Sequence, residues 1–246
     1  MKEKKHVLIT GGSRGIGAAT VHVFAREGYA ITFFYHKNAY QAEQVCRQAT
    51  RYGQKVNAMR VDIKDYEAVV HACQQAMLEF GAVDILVSNA GVSSISLFSD
   101  ISPESFGYML DTHLKGLYNV THAVLPGMIS RKTGSIVTVS SIWGITGASC
   151  EVAYSTAKAG VIGFTRALAK EVGPSGIRVN CIAPGLIDTD MNSDLKITEM
   201  QNICDETPLG RVGMPEEIAE TILFIASDKS SFTTGQVISP NGGLVI

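Results

Sequence analysis

Thr10-Gly11-Gly12-Ser13-Arg14-Gly15-Ile16-Gly17 is the stretch on which the fold turns. It follows the apolar run Val7-Leu8-Ile9 and precedes an amphipathic segment at 16–27, so it reads as the joint between a first strand and a first helix. Glycines at 11, 15 and 17 let the backbone turn tightly and approach a ligand with no Cβ in the way. The helix that starts there offers free N–H groups and the positive end of its dipole, which suits a pyrophosphate. The spacing is G-x-x-x-G-x-G, not the G-x-G-x-x-G of the common dinucleotide fingerprint.

Outward from this turn, short apolar runs alternate with longer amphipathic ones. Strands are expected at 7–10, 30–35, 55–61, 83–88, 135–140, 178–183 and 236–238. Helices are expected at 16–27, 39–52, 66–80, 103–114, 117–131, 153–172 and 215–227. Runs such as Ile31-Thr32-Phe33-Phe34 and Asp84-Ile85-Leu86-Val87 are apolar on consecutive positions, as in strands covered on both faces. Ser102-Pro103-Glu104 and Met214-Pro215-Glu216-Glu217 read as helix starts, while Gly28, Gly53 and Gly81 read as left-handed stops. No linker or repeat interrupts the alternation. The expectation is an α/β fold: one domain over 1–246, a Rossmann-type doubly wound parallel sheet of about seven strands with helices on both faces. Residues 188–208 have the weakest periodicity and are expected to form an excursion covering the site.

Composition narrows the function. The 21 Lys+Arg against 23 Asp+Glu leave a net charge of −2, without the basic footprint of a nucleic-acid binder. No apolar run reaches the roughly 18 residues of a membrane span, and the stretch after the basic start is too short for a signal peptide. Five cysteines without a C-x-x-C pair imply free thiols in a reducing, cytoplasmic compartment, and six histidines without metal spacing imply no metal site.

Two clusters carry chemistry. The second strand ends Phe34-Tyr35-His36-Lys37 with no acid to hold a ribose 2′-OH, while Arg14 and Lys37 supply positive charge for a 2′-phosphate. The cofactor expected is therefore NADP(H). Tyr154 and Lys158 are spaced i,i+4 and share a helix face. A cation within about 4–6 Å is expected to lower the phenol's pKa, giving a group that exchanges a proton with a carbonyl oxygen as hydride arrives. Ser141, at the carboxyl end of the fifth strand, can hydrogen-bond the same carbonyl, although Ser140 and Ser141 also suit strand-end turn chemistry.

Taken with Asp62-Ile63, Ser88-Asn89-Ala90-Gly91, Pro184-Gly185 and Asn241-Gly242-Gly243, these residues resemble the short-chain dehydrogenase/reductase family over essentially the whole chain. The resemblance implies that Gly11, Ser13, Arg14, Gly15, Ile16 and Gly17 cradle the cofactor, with Tyr35 and Lys37 at its 2′ end. It implies that Asp62 and Ile63 border the adenine and that Asn89, Ala90 and Gly91 line the cofactor path. Pro184, Gly185, Ile187 and Thr189 would lie at the nicotinamide end. Lys158 would bond the nicotinamide ribose, Ser141 position substrate and Tyr154 transfer the proton. The 235–246 stretch resembles the part such proteins pack in a homotetramer.

One departure stands out. Asp111-Thr112-His113-Leu114-Lys115-Gly116 puts His113 where the family usually has an asparagine supporting a water in a proton relay. Imidazole can hydrogen-bond water, so an altered relay is expected.

Within the family the chain looks most like bacterial 3-oxoacyl-acyl-carrier-protein reductases, notably at Gly163-Phe164-Thr165-Arg166 and Asn180-Cys181-Ile182-Ala183. The implied substrate is a 3-oxoacyl thioester on acyl carrier protein. Arg131-Lys132 matches one basic carrier-docking position of those enzymes, whereas the other is occupied by Ser175. The 143–154 stretch also resembles a Firmicute branch that reduces a 5-aminopentanone group on elongation factor P, with Glu151 available to an amine. A non-catalytic cofactor-binding protein is the remaining alternative, and intact Ser141, Tyr154 and Lys158 argue against it.

Overall fold

A computed structural model describes residues 5–192 and 197–246. Its elements are β1 (His6–Thr10), α1 (Gly15–Arg26), β2 (Ala30–Tyr35), α2 (Ala39–Ala49), β3 (Val56–Arg60), α3 (Tyr66–Phe80), β4 (Val83–Ser88) and α4 (Pro103–Leu110). There follow α5 (Gly116–Arg131), β5 (Gly134–Val139), α6 (Trp143–Thr146), α7 (Val152–Val172), β6 (Ile177–Ile182), α8 (Ile197–Glu206), α9 (Pro215–Ala226) and β7 (Val237–Ile238). The strands pair in parallel in the order β3-β2-β1-β4-β5-β6-β7. Strand order reverses between β1 and β4, so the connections leaving those two strands diverge and open a crevice at their carboxyl ends.

Consecutive apolar residues become the two cores. Val7, Ile9, Ile31, Phe33 and Val137 pack with Val21, Phe24, Ile218 and Ile222 of α1 and α9 on one face. Leu8, Phe34, Leu86 and Ile136 pack with Val69, Val120, Val124 and Val172 of α3, α5 and α7 on the other. Alternate side chains of each strand thus reach opposite layers. Arg178 on β6 binds this frame to the end of α9, its guanidinium donating to the carbonyls of Ile225, Ala226, Ser227 and Thr233.

The helix starts follow the sequence: Ser102 Oγ accepts from Ser105 N at 3.1 Å, and Pro103 and Pro215 occupy first turns. Four features differ. The expected helix at 39–52 ends at Ala49 and tightens into a 3₁₀ turn at Thr50–Tyr52. The helices expected at 103–114 and 117–131 join through a π-helical turn, Asp111–Lys115, instead of breaking. Gly81 has φ 81° and ψ −177°, a glycine conformation outside the left-handed helical well. The 188–208 excursion holds a 3₁₀ turn, Asp190–Asn192, and helix α8; residues 193–196 lie outside the described residues.

Candidate active site

The glycine turn leaves β1 and packs against the loop that leaves β4. Backbone N–H groups of Asn89 and Ala90 both donate to Thr10 Oγ1 at 3.0 Å, and Asn89 Nδ2 donates to the Thr10 carbonyl at 3.1 Å. Gly17 sits under this junction. A Cβ there would lie 2.1 Å from the Gly11 carbonyl oxygen and 2.7 Å from Asn89 Nδ2, so only glycine lets α1 start so close to the turn. The threonine is the quiet member of the Thr10–Gly17 motif; its role as anchor follows from register, not from spacing.

A cleft of about 310 Å³ opens here. Of the residues assigned to the cofactor from sequence, Gly11, Ser13, Arg14, Gly15, Ile16, Lys37, Asp62, Ile63, Asn89, Ala90, Gly91 and Thr189 line it. Others take different places. Gly17 is buried beneath it, and Tyr35 packs against the core cluster of α1 and α2 because its neighbours Phe34 and His36 take the cleft side. Pro184 accepts a hydrogen bond from Ile142 N, and Gly185 packs on Asn241. Ile187 is buried and walls a separate, mostly apolar cavity of about 210 Å³.

His36, Asn38, Lys64, Tyr108, Thr112 and Asp190 also line the cleft and were not singled out from sequence. A cationic residue beside Asp62 was the available signal for Lys64. Lys64 Nζ lies 2.8 Å from Asp62 Oδ2, and His36 Nε2 lies 3.7 Å from it. Burial works to raise the Asp62 carboxyl, but the hydrogen bonds from Lys64 outweigh it and hold the group below its usual range. Arg14 lies 3.9 Å from Asp190, and Lys37 makes no ion pair among the described residues.

The second cluster is buried where β5 and α7 meet. Ser140 and Ser141 divide their labour. Ser140 Oγ donates to the Lys158 carbonyl at 2.8 Å and so ties α7 to the strand end. Ser141 Oγ accepts from Trp143 N at 3.2 Å and acts on the Tyr154 phenol to lower its pKa. Lys158 Nζ donates to the Val139 carbonyl at 2.9 Å and stands 5.5 Å from the Tyr154 ring centroid. The i,i+4 spacing has thus placed both groups on the face of α7 that meets Ser141.

Their protonation states differ from the expectation. Burial pushes the Tyr154 phenol up to about 12, against the effect of Ser141 and with help from Glu151. Proximity to Lys158 does not lower it, because desolvating a phenolate costs more than a distant ammonium returns. Burial brings Lys158 down to about 8, leaving it charged at neutral pH. His113 stands edge-on to Tyr154, centroids 5.5 Å apart, and burial followed by the charge of Lys158 brings it down to about 3. Glu151, at the start of α7, is half-buried, and burial raises its carboxyl.

The expected carrier-docking positions lie elsewhere. Arg131 donates to the Val83 carbonyl at 2.7 Å and lies 3.7 Å from Asp84, at the amino end of β4. Ser175 precedes β6 at the same end of the sheet, opposite the cleft.

A glycine-cradled cleft at a strand-order reversal, next to a buried serine, tyrosine and lysine, defines a nucleotide-dependent oxidoreductase site. The chain belongs to the short-chain dehydrogenase/reductase family; the family described as enoyl-(acyl carrier protein) reductase matches residues 11–245. It is 42% identical over 240 residues to the 3-oxoacyl-[acyl-carrier-protein] reductase of Chlamydia muridarum, covering 98% of this chain and 97% of that one. It is 40% identical over 244 residues to the protein of the same name from Thermotoga maritima, covering 99% of each. An acetoacetyl-CoA reductase from Shinella zoogloeoides is 39% identical over 237 residues, covering 96% of each. No helix among the described residues is long and apolar enough to cross a membrane.

Proposed function

We propose that the protein uses NADPH to reduce the keto group of a 3-oxoacyl thioester to a secondary alcohol. The carrying observation is the convergence of Ser141, Tyr154 and Lys158 in a buried centre beside a cleft with cationic walls. The thioester is supported by the names of the relatives, which join a 3-oxoacyl carrier-protein reductase and an acetoacetyl-CoA reductase around the same full-length chain. Two hydroxyls meeting at one point suit a carbonyl oxygen better than a carbon–carbon double bond, which separates this reading from the wider family description.

The residues present fit NADPH. The floor at Gly17 has no room for a Cβ, the α1 N-terminus is free for phosphate, and Arg14 and Lys37 on the cleft wall suit a 2′-phosphate. When bound, the cofactor supplies the hydride. Tyr154 holds the proton for the carbonyl oxygen: with its phenol at about 12 it is protonated at any working pH, which favours ketone reduction over alcohol oxidation. Ser141 hydrogen-bonds the same oxygen and orients it. Lys158, charged below about 8 and 5.5 Å from the Tyr154 ring, stabilises the tyrosinate left behind.

In this reading the chain 1–246 acts as one cytoplasmic reductase domain on an acyl-carrier-protein substrate. The fully exposed Ile246, with Phe232 just before the stretch, supports packing of the 235–246 region between copies in a homotetramer, which light scattering would weigh. The test of function is NADPH oxidation with a small acetoacetyl thioester, repeated with NADH. Turnover preferring NADPH is expected. Tight NADPH binding without turnover on any 3-oxoacyl thioester would sink the reading.

A further inference from the structure

His113 lies in the π-helical turn between α4 and α5, a rare form that recurs at functional sites. Its Nε2 is 2.7 Å from the Val92 carbonyl oxygen and 3.2 Å from Val92 N. A carbonyl oxygen cannot donate, so the short contact requires a proton on Nε2; the longer approach then joins two donors and is no bond. The neutral ring therefore carries its lone pair on Nδ1. Burial and the neighbouring Lys158 charge keep it neutral well below physiological pH.

Three more contacts define what this ring does. It meets Tyr154 edge to face at 83°. It lies against the backbone of Gly91, where a Cβ would come within 2.5 Å of its Cε1. The next residue, Leu114, packs on the cluster containing Val161 and Ile162 of α7. One π turn thus touches both the Gly91-Val92 loop, which lines the cofactor cleft, and the face of α7 that carries Tyr154.

We propose that His113 is a positioning residue that clamps the Gly91-Val92 loop of the cofactor cleft to the Tyr154 face of α7, and that it relays no proton to or from the reaction. The clamp couples two sites that the chain builds from separate segments: its N–H fixes the loop, and its ring edge fixes the phenol. For its effect on turnover the inference rests on the proposed ketone reduction; for its effect on cofactor binding it does not.

His113→Phe keeps a ring against Tyr154 and loses the N–H. Fluorescence titration is expected to show NADPH binding weakened by about five- to tenfold, the loss of one buried hydrogen bond. kcat is expected to fall by less than the cofactor affinity, with the pH–rate profile unchanged in shape. His113→Gln keeps a donor and loses the ring, so it should recover cofactor affinity while kcat falls further than in His113→Phe. If His113→Phe does not fold, as judged by circular dichroism, His113→Gln carries the test by the same split. The proposal is overturned if His113→Phe binds NADPH normally while kcat collapses and added imidazole restores it, the behaviour of a proton carrier. Wild-type affinity and kcat in both variants would overturn it too. A wild-type protein inactive on every ketone tried defeats the proposed function alone, since the affinity measurements still decide the clamp.

Discussion

Arg14 and Lys158 are both cations that serve the same site, one on the cleft wall and one in the buried centre, yet they live under different physics. The Arg14 side chain is 56% exposed, with its acid partner 3.9 Å away, on the wall of a cleft open to water. Lys158 is 4% exposed, and its neighbours Tyr154 and His113 are buried with it. In the centre on α7, burial is the first cause of every shift, raising the phenol and lowering the two bases. The cleft attracts an anionic ligand through water, with charges that salt screens and that partly substitute for one another. The centre sets protonation states by excluding water, so each group there has one task and no substitute.

The largest test of that contrast is Tyr154→Phe. Removing the proton donor should cost about 10²- to 10⁴-fold in kcat, while NADPH affinity measured by fluorescence stays unchanged. A parallel loss of affinity would mean that cleft and centre are not separable. Gly17→Ala strikes the cleft instead. A methyl 2.1 Å from the Gly11 carbonyl oxygen must displace the turn, at a cost of about 1–3 kcal/mol in stability. Thermal melting should register that cost together with severe loss of NADPH binding, and a variant that melts and binds like wild type would show that the turn is not rigid.

The pH profile comes next in size. Lys158 titrates near 8, below the ordinary lysine value, so its ammonium is present below that pH and lost above it. Ketone reduction should therefore be flat near neutrality and fall as pH rises through about 8, with Tyr154 contributing no break until about 12. A rate that climbs across that range would show that the charged lysine is not needed. Arg14→Ala and Lys37→Ala should each raise the KM for NADPH by up to about fivefold, an exposed-charge effect that shrinks with added salt. Salt-independent losses would place these side chains in dry contacts.

The same contrast explains what the sequence discloses. Strand runs such as Ile31-Thr32-Phe33-Phe34 show through because a sheet covered on both faces needs apolar residues consecutively. The glycine turn and the Tyr154 and Lys158 pair are local, so their spacing carries them. The π turn at Asp111–Lys115 is invisible because one extra residue leaves the apolar spacing nearly helical. Helix α8 is polar on average, with Glu199, Gln201, Asn202, Asp205 and Glu206, yet Met200, Ile203 and Cys204 recur at helical spacing, a signal that the short polar segment masks. Tyr108, Thr112 and Asp190 join the cleft only through space. The sign of the Tyr154 shift is lost for a related reason: spacing reports a nearby lysine, and only the fold reports how much water has been removed.

Glu151 gives the smallest and finest probe, since it sits between the two regimes. It is half-buried, three residues before Tyr154, and it forms no side-chain hydrogen bond or ion pair among the described residues. Its charge adds to the burial that raises the phenol, but burial is the larger cause. Glu151→Gln should therefore leave ketone reduction unchanged, because a phenol lowered slightly from about 12 is still fully protonated at neutral pH. Alcohol oxidation needs the tyrosinate, and at alkaline pH its rate should rise by about twofold as the opposing charge is removed. The two directions separate electrostatics from contact. If Glu151→Gln changes the KM of the ketone and leaves oxidation alone, the carboxylate meets substrate directly, and its role is recognition and not the tuning of Tyr154.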